Sequence, residues 1–188
     1  MNRKEALKVV DELVKSPNIR KHCLAAEAAM IGLYDYFEKK GGLGAGSRED
    51  WGVVGLLHDA DYEATDKDLG KHTDLVTEKI NGKARQEVVD AVRGHANKAE
   101  RKTLMAKSIY AADELTGLIV AAVLVRPDKK LAGLTIESVL KRFKEPAFAK
   151  GARRDQIKTC EKELRVPLAE FTEIVLNSMK GISSELGL

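Results

Sequence analysis

The histidines are the residues of this sequence whose types and spacing could do chemistry. All four lie between positions 22 and 95, at His22, His58, His72 and His95, and His58 is followed directly by Asp59. Imidazole and carboxylate groups together suit a divalent transition metal such as iron, manganese, cobalt, nickel or zinc. His22, His58 and Asp59 are therefore candidate metal ligands.

A second carboxylate, Asp113, stands within a helical pattern over residues 103–125. It interrupts a largely apolar face that includes Ile109 and Leu115. A buried carboxylate needs a hydrogen-bonding partner, a cation or a metal ion, because burying an unpaired charge is costly. Taken alone, Asp113 could pair with Lys107 or with a backbone group, so its assignment as a ligand depends on the whole set.

The other candidates also have ordinary structural interpretations. A single histidine such as His22 on an apolar helix face is usually a hydrogen-bonded core residue, and Asp59 alone could be exposed in a turn. However, the apolar run over residues 53–57 leads directly to His58 and would carry it into the interior. An ordered set of such residues on different helices is harder to explain structurally than any one member.

Helical periodicity dominates the elements that must position these residues. Apolar residues recur three and four positions apart, and no run of alternating β-branched residues competes. Ser47 and Asp50 have the spacing of a capping box, which predicts the start of the third helix. The polar stretch over residues 60–70 is predicted to be a loop. The sequence therefore predicts an all-α fold of about eight helices, at residues 3–15, 19–39, 48–58, 70–80, 84–97, 103–125, 154–164 and 167–186.

A glycine-rich segment at residues 41–46 predicts a flexible connection between two helices. It could be mistaken for a loop that cradles phosphate. No Gly-Lys-Ser/Thr ending follows it and no predicted strand precedes it, so we reject that interpretation.

Composition excludes several classes of partner. The chain has 188 residues, a formal net charge of +3 and 5% aromatic residues, which argues against a nucleic acid polymer as the main partner. The longest apolar stretch, residues 118–125, is far shorter than the roughly 20 residues that span a bilayer. The N-terminus has no apolar segment typical of a signal peptide, and Cys23 and Cys160 form no CxxC pair. We therefore expect a cytoplasmic protein with reduced thiols and no membrane partner.

The order of these residues resembles the motif of the HD-domain metal-dependent phosphohydrolases, an all-helical superfamily. The local sequences match too, with GLLHD at 55–59 and YAAD at 110–113. The resemblance covers about residues 19–125 as a metal-binding core. Residues 126–188 are similar to the helical tail of bacterial HDIG-type hydrolases without an assigned substrate. The resemblance implies a single HD-type domain over residues 1–188, built as a helical bundle with a C-terminal extension.

The same resemblance implies two metal sites. The ligands of a first ion would be His22, His58, Asp59 and Asp113. His72 and His95 look like the positions that supply a second ion in dinuclear branches of the superfamily, where the counterpart of Asp59 bridges both ions. If only one ion binds, His95 would instead act as a general acid or base or contact phosphate. Asp59 and His95 are therefore the candidate catalytic residues.

The chain also departs from the family pattern. Ile-Gly and often a lysine would follow the His-Asp pair, whereas here Ala60 and Asp61 follow and Tyr62 stands at the lysine position. The Gly-Tyr-Pro segment and the adjacent histidine pair of the cyclic-dinucleotide branch are absent, since Gly94 precedes His95. The second site is therefore short of one ligand, and cyclic di-GMP is disfavoured as a substrate.

The reaction implied is hydrolysis of a nucleotide or another small phosphate ester by a water activated by one or two divalent ions. Symmetric cleavage of a dinucleoside polyphosphate is its most specific version. The candidate substrate-binding cations are Arg93, Lys98 and Arg126, of which Arg126 is favoured because it follows the helix of Asp113. Two alternatives stay open, a non-catalytic module that binds a nucleotide and signals, and a di-iron oxygenase on the same scaffold. A homodimer also stays open.

Overall fold

A computed structural model describes residues 1–42 and 46–188, so part of the glycine-rich connection lies outside the described residues. Within these ranges the protein is all α, as predicted, with no β-strand and one short 3-10 helix at Leu131–Gly133. None of the helices described is both long enough and apolar enough to cross a membrane. The described residues form ten α-helices, which are α1 Arg3–Leu13, α2 Pro17–Lys39, α3 Arg48–Leu57, α4 Asp74–Ile80, α5 Gln86–His95, α6 Leu104–Leu124, α7 Ile136–Phe143, α8 Arg154–Glu163, α9 Leu168–Gly181 and α10 Ser183–Leu186.

Two of the helices begin at capping boxes. In α1, the Glu5 amide donates to Asn2 Oδ1 over 2.9 Å, and the Asn2 amide donates back to Glu5 Oε2 over 2.8 Å. In α3, the Asp50 amide donates to Ser47 Oγ over 3.2 Å, and the Ser47 amide donates to Asp50 Oδ2 over 2.8 Å. The cap predicted from Ser47 and Asp50 is therefore confirmed. Such caps satisfy amides that the first helical turn leaves without partners, and each contributes about 1 kcal/mol.

The structure corrects three helix predictions. Helix α7 was not predicted, although Ile136, Val139, Leu140 and Phe143 recur three and four positions apart, because the pattern covers only eight residues. The single helix expected over 167–186 is two helices, α9 and α10, separated at Ile182. The helix expected from residue 70 begins only at Asp74, since Thr73 has a left-handed backbone with φ of 73°. The loop predicted over residues 60–70 is confirmed as a series of turns.

Helix α2 lies at the centre of the fold and contacts α3, α6 and α9. Ala25, Ala26 and Ala29 of α2 are fully buried. The crossing with α3 is so close that a Cβ on Gly55 would lie 2.5 Å from the backbone nitrogen of Glu27 and 2.6 Å from Ala26 backbone atoms. Only glycine fits at this crossing. It fixes the end of α3, which carries His58, against the helix that carries His22.

The C-terminal helices pack on the same core. Helix α8 contacts α6, and α9 contacts α2. Their buried apolar side chains belong to the cluster that also contains those of α2, α3 and α6. Cys160 of α8 and Cys23 of α2 are both buried, and neither forms a disulfide. The tail is therefore packed onto the helices that carry the candidate ligands, and it can contribute to the site.

Candidate metal centre

The six candidate ligands come from five parts of the chain. His22 lies on α2, His58 and Asp59 follow α3, His72 precedes α4, His95 ends α5, and Asp113 lies in the middle of α6. The structure brings their donor atoms together in two groups that share one aspartate. The first group contains His22, His58, Asp59 and Asp113, and the second contains Asp59, His72 and His95.

The first group is built around the facing nitrogens of two histidines. His22 Nε2 lies 3.0 Å from His58 Nε2. Asp113 Oδ1 lies 3.0 Å from His22 Nε2 and 3.4 Å from His58 Nε2. Asp59 completes the group through Oδ2, which lies 3.4 Å from His22 Nε2. Asp113 therefore contacts two imidazoles. The alternative interpretation, in which it pairs with Lys107, is not what the structure shows.

The second group repeats this arrangement on the other side of Asp59. His72 Nε2 and His95 Nε2 lie 3.0 Å apart. Asp59 faces them with Oδ1, at 3.1 Å from His72 Nε2 and 3.3 Å from His95 Nε2. The two oxygens of one carboxylate therefore serve different pairs of histidines. A carboxylate placed in this way can bridge two cations.

Backbone carbonyls fix the ring orientation of two histidines. His58 Nδ1 lies 2.8 Å from the Gly55 oxygen, and His95 Nδ1 lies 2.5 Å from the Val92 oxygen. Since a carbonyl can only accept, each Nδ1 must carry the proton. In the neutral ring, Nε2 then presents its lone pair to the cluster. This is the arrangement that metal-binding histidines usually have.

Asp61 orients His72 in the same manner. This carboxylate is fully buried, and Oδ1 lies 2.9 Å from His72 Nδ1. It also accepts the amide of Thr73 over 2.9 Å and the amide of Val76 over 3.0 Å. Although burial opposes its charge, the hydrogen bonds from His72 and from both amides lower the pKa of Asp61. Sequence reasoning missed this role, although the aspartate stands only two positions after Asp59.

Two nitrogen lone pairs 3.0 Å apart repel each other, so a proton or a metal ion must lie between the facing nitrogens of each pair. In the protein alone, a proton takes that place. Burial opposes protonation of His22, but Asp113 and Asp59 outweigh it and raise the pKa of His22 to about 10. Burial also opposes the charge on His72, and Asp59 and Asp61 raise the pKa of His72 to about 9. The donor set therefore fits divalent cations, which would replace these protons.

A cavity of about 680 Å³ opens onto both groups. One side carries Tyr62, whose ring meets the His72 ring edge-on at 5.4 Å between centroids, and the exposed Leu69. The other side comes from the tail and from α6. The cavity is lined by His22, Asp59, Tyr62, Leu69, His72, His95, Ala96, Asn97, Asp113, Glu114, Gly117, Ala149, Gly151, Ala152 and Arg153.

The three cations expected to bind substrate do not line this cavity. The Arg93 and Lys98 side chains both pair with Asp74, at 3.4 and 2.9 Å. Arg126 pairs with Asp128 at 2.9 Å and lines a separate cavity. The cation that the structure does bring to the cavity is Arg153. The sequence gives no local signal for it, because the candidate ligands that share the cavity with it are distant along the chain.

Comparison with known proteins leaves this site to be interpreted from its own geometry. No family model, curated protein or solved structure matches the chain. The protein is an all-α molecule with a largely buried cluster of imidazoles and carboxylates that could hold metal ions.

Proposed function

We propose that the protein is a metal-dependent phosphohydrolase of the HD-domain type, which hydrolyses a nucleotide or another small phosphate ester. The observation that carries this proposal is the division of Asp59 between two groups of donors, with Oδ2 facing His22 and Oδ1 facing His72 and His95. Such a carboxylate suits a pair of ions ~3.5–4 Å apart, the spacing used for displacement at phosphorus. The order of the ligands along the chain supports the same conclusion.

The chain's own residues would divide the work as follows. When bound, the divalent ions supply an acidified water and stabilise the charge that develops on the phosphoryl group. Asp59 sets the distance between the two groups. His58 and His95, fixed by backbone carbonyls, hold their Nε2 atoms in place without reorganisation. Asp61 does the same for His72.

The size and shape of the cavity favour a substrate larger than a phosphate ion. A volume of about 680 Å³ lies within the range of ligand sites that accept nucleotide-sized molecules. The donors that reach it share its lining with Tyr62, Leu69 and Asn97. This arrangement lets a phosphate reach the ions while an organic group contacts the walls. Dinucleoside polyphosphates are the most specific substrates to test, and a cytoplasmic location remains our expectation.

The first experiment measures the metal content of the protein. Protein purified without chelators or an immobilised metal should contain two ions per chain by mass spectrometry, and the His72→Ala variant should contain one. The Asp128→Asn variant, changed at an exposed carboxylate outside the cavity, serves as the control and should keep both ions. One ion in every variant would make the centre mononuclear. No ion after reconstitution would overturn the proposal and favour a non-catalytic binding module.

The second experiment is hydrolysis by the metal-loaded protein. Phosphomonoesters, phosphodiesters, nucleotides and dinucleoside polyphosphates should be tested in parallel, with phosphate or nucleotide release as the readout. At least one class should be cleaved, and cleavage should be lost in Asp59→Ala but not in Asp128→Asn. A metal-loaded protein that leaves every class intact would contradict the proposal. Iron content together with oxygen consumption would instead favour the oxygenase.

A further inference from the structure

Arg153 is the only lysine or arginine among the described residues that line the cavity. It stands directly before α8, in the part of the chain that the sequence marked as a tail. Its side chain is 55% exposed, so it borders the open part of the cavity. The three cations expected from the sequence are engaged elsewhere, which leaves Arg153 as the basic group available to an anionic ligand.

Glu114 holds Arg153 against α6. Arg153 Nε donates to Glu114 Oε1 over 2.7 Å, and the Arg153 amide donates to Glu114 Oε2 over 3.0 Å. The two terminal amino groups of the guanidinium form no hydrogen bond with any described residue. Arg153 therefore keeps the part of its side chain that grips phosphate oxygens, while Glu114 fixes its position.

The loop before Arg153 is also fixed. Arg154 Nη1 donates to the carbonyl oxygens of Ala149 and Ala152, each over 2.6 Å, and Arg154 Nη2 donates to the oxygen of Phe148. Ala149 and Ala152 both line the cavity. This wall is therefore held by hydrogen bonds, and Arg153 is presented from an organised segment.

We propose that Arg153 binds a second anionic group of the substrate, a phosphate next to the one that reacts. The inference rests on the proposed function, since the reacting phosphate is assigned to the ions. Glu114 follows Asp113 directly, and successive helical residues point about 100° apart. The two side chains therefore leave α6 in different directions, although both line the same cavity. Arg153 lines the same cavity as the donors, so a diphosphate or longer chain that reaches the donors would extend within reach of one cavity wall that carries a cation.

The test compares two inert anions on protein loaded with manganese. Methylenediphosphonate carries two phosphate-like groups that cannot be hydrolysed apart, whereas orthophosphate carries one. Calorimetry should show that Arg153→Ala weakens diphosphonate binding about tenfold, the lower end for loss of charged hydrogen bonds at a half-exposed site. Orthophosphate binding should change less than twofold. Glu114→Gln should weaken diphosphonate binding in the same direction, because it releases Arg153.

Arg48→Ala is the matched control. Arg48 also binds a carboxylate through Nε, at 2.6 Å from Asp35 Oδ1, and its side chain is 56% exposed. It lies at the opposite end of α3 from His58, about 15 Å away by helical rise. Equal binding of diphosphonate by wild type and Arg153→Ala would overturn the inference, as would equal loss of both anions. Loss of manganese from Arg153→Ala would overturn it too, since Arg153 would then support the ligands. Failure of the wild type to bind manganese would instead refute the proposed function.

Discussion

His72 donates its Nδ1 proton to Asp61 Oδ1 over 2.9 Å, and Asp61 is the fully buried carboxylate that also holds two amides at the start of α4. The same group therefore orients a candidate ligand and ties down the turn that carries it. Asp61 does not itself face the donor cluster. Its replacement therefore removes the group that orients His72 without removing any candidate ligand.

Asp61→Asn should weaken binding of the second ion about tenfold, the lower end for loss of such a supporting group. The amide keeps an acceptor but loses the charge that favours the His72 orientation. The first group should still bind its ion. Calorimetric titration with Mn²⁺ would measure both sites. Asp68→Asn is the control, since Asp68 accepts the Gly70 amide over 2.8 Å in the same series of turns but is exposed. An unchanged second site in Asp61→Asn would show that Asp61 serves only the fold.

Asp113→Ala and Asp59→Ala should differ in the number of ions they lose. Asp113 contacts only the histidines of the first group, whereas Asp59 contacts both groups. We expect one ion per chain in Asp113→Ala and none, or weakly held ions, in Asp59→Ala. Metal content by mass spectrometry checks this, with helical circular dichroism to show that each variant folds. Equal metal content in the two variants would contradict the shared role of Asp59.

Glu63 should make folding sensitive to acid. Its carboxylate accepts the amides of Lys15 and Ser16, over 2.9 and 2.8 Å, and these hydrogen bonds lower the pKa of Glu63. The folded pKa lies below the unfolded one, so the stabilisation is complete above the unfolded pKa and is lost as pH falls through the folded pKa. The difference in free energy of unfolding between wild type and Glu63→Gln should therefore shrink from about pH 6 to pH 3. Urea denaturation at several pH values measures it, and a constant difference would count against the prediction.

Gly55→Ala should destabilise the protein and disturb the first metal site. The new methyl group would meet the backbone of α2, which cannot move aside as a side chain could. Overpacking of this kind costs about 1–3 kcal/mol. Gly117→Ala is the control, because a Cβ there meets nothing within 4 Å. Denaturation should show a loss of stability in Gly55→Ala and none in Gly117→Ala. Similar stability of the two variants would contradict the close approach of α3 to the backbone of α2 at Gly55.

His58, Asp59 and Asp113 could be predicted as candidate ligands from the sequence, because they end or interrupt apolar helical patterns. His72 lies in a polar series of turns, and only its place in the order of the motif pointed to it. The pattern places His58 at the inner end of α3 and Asp113 on a buried face of α6. It cannot show that Arg126, which donates to Asp128, lines a different cavity. Nor can it find Arg153, because its position depends on how the tail packs against α6. Helix α7 was missed for a related reason, since its stability comes from tertiary contacts rather than from a long periodic segment.

If two ions bind, the shared carboxylate will make the occupancies of the two sites thermodynamically dependent on each other. Whatever one ion does to the affinity for the other, by fixing Asp59 or by repulsion, the second does to the first by the same factor. A substitution confined to one group, such as His72→Ala, will therefore change the apparent dissociation constant at the untouched group by that factor. Comparing the dissociation constant of the first ion between wild type and His72→Ala therefore measures directly how strongly the two ions affect each other's binding.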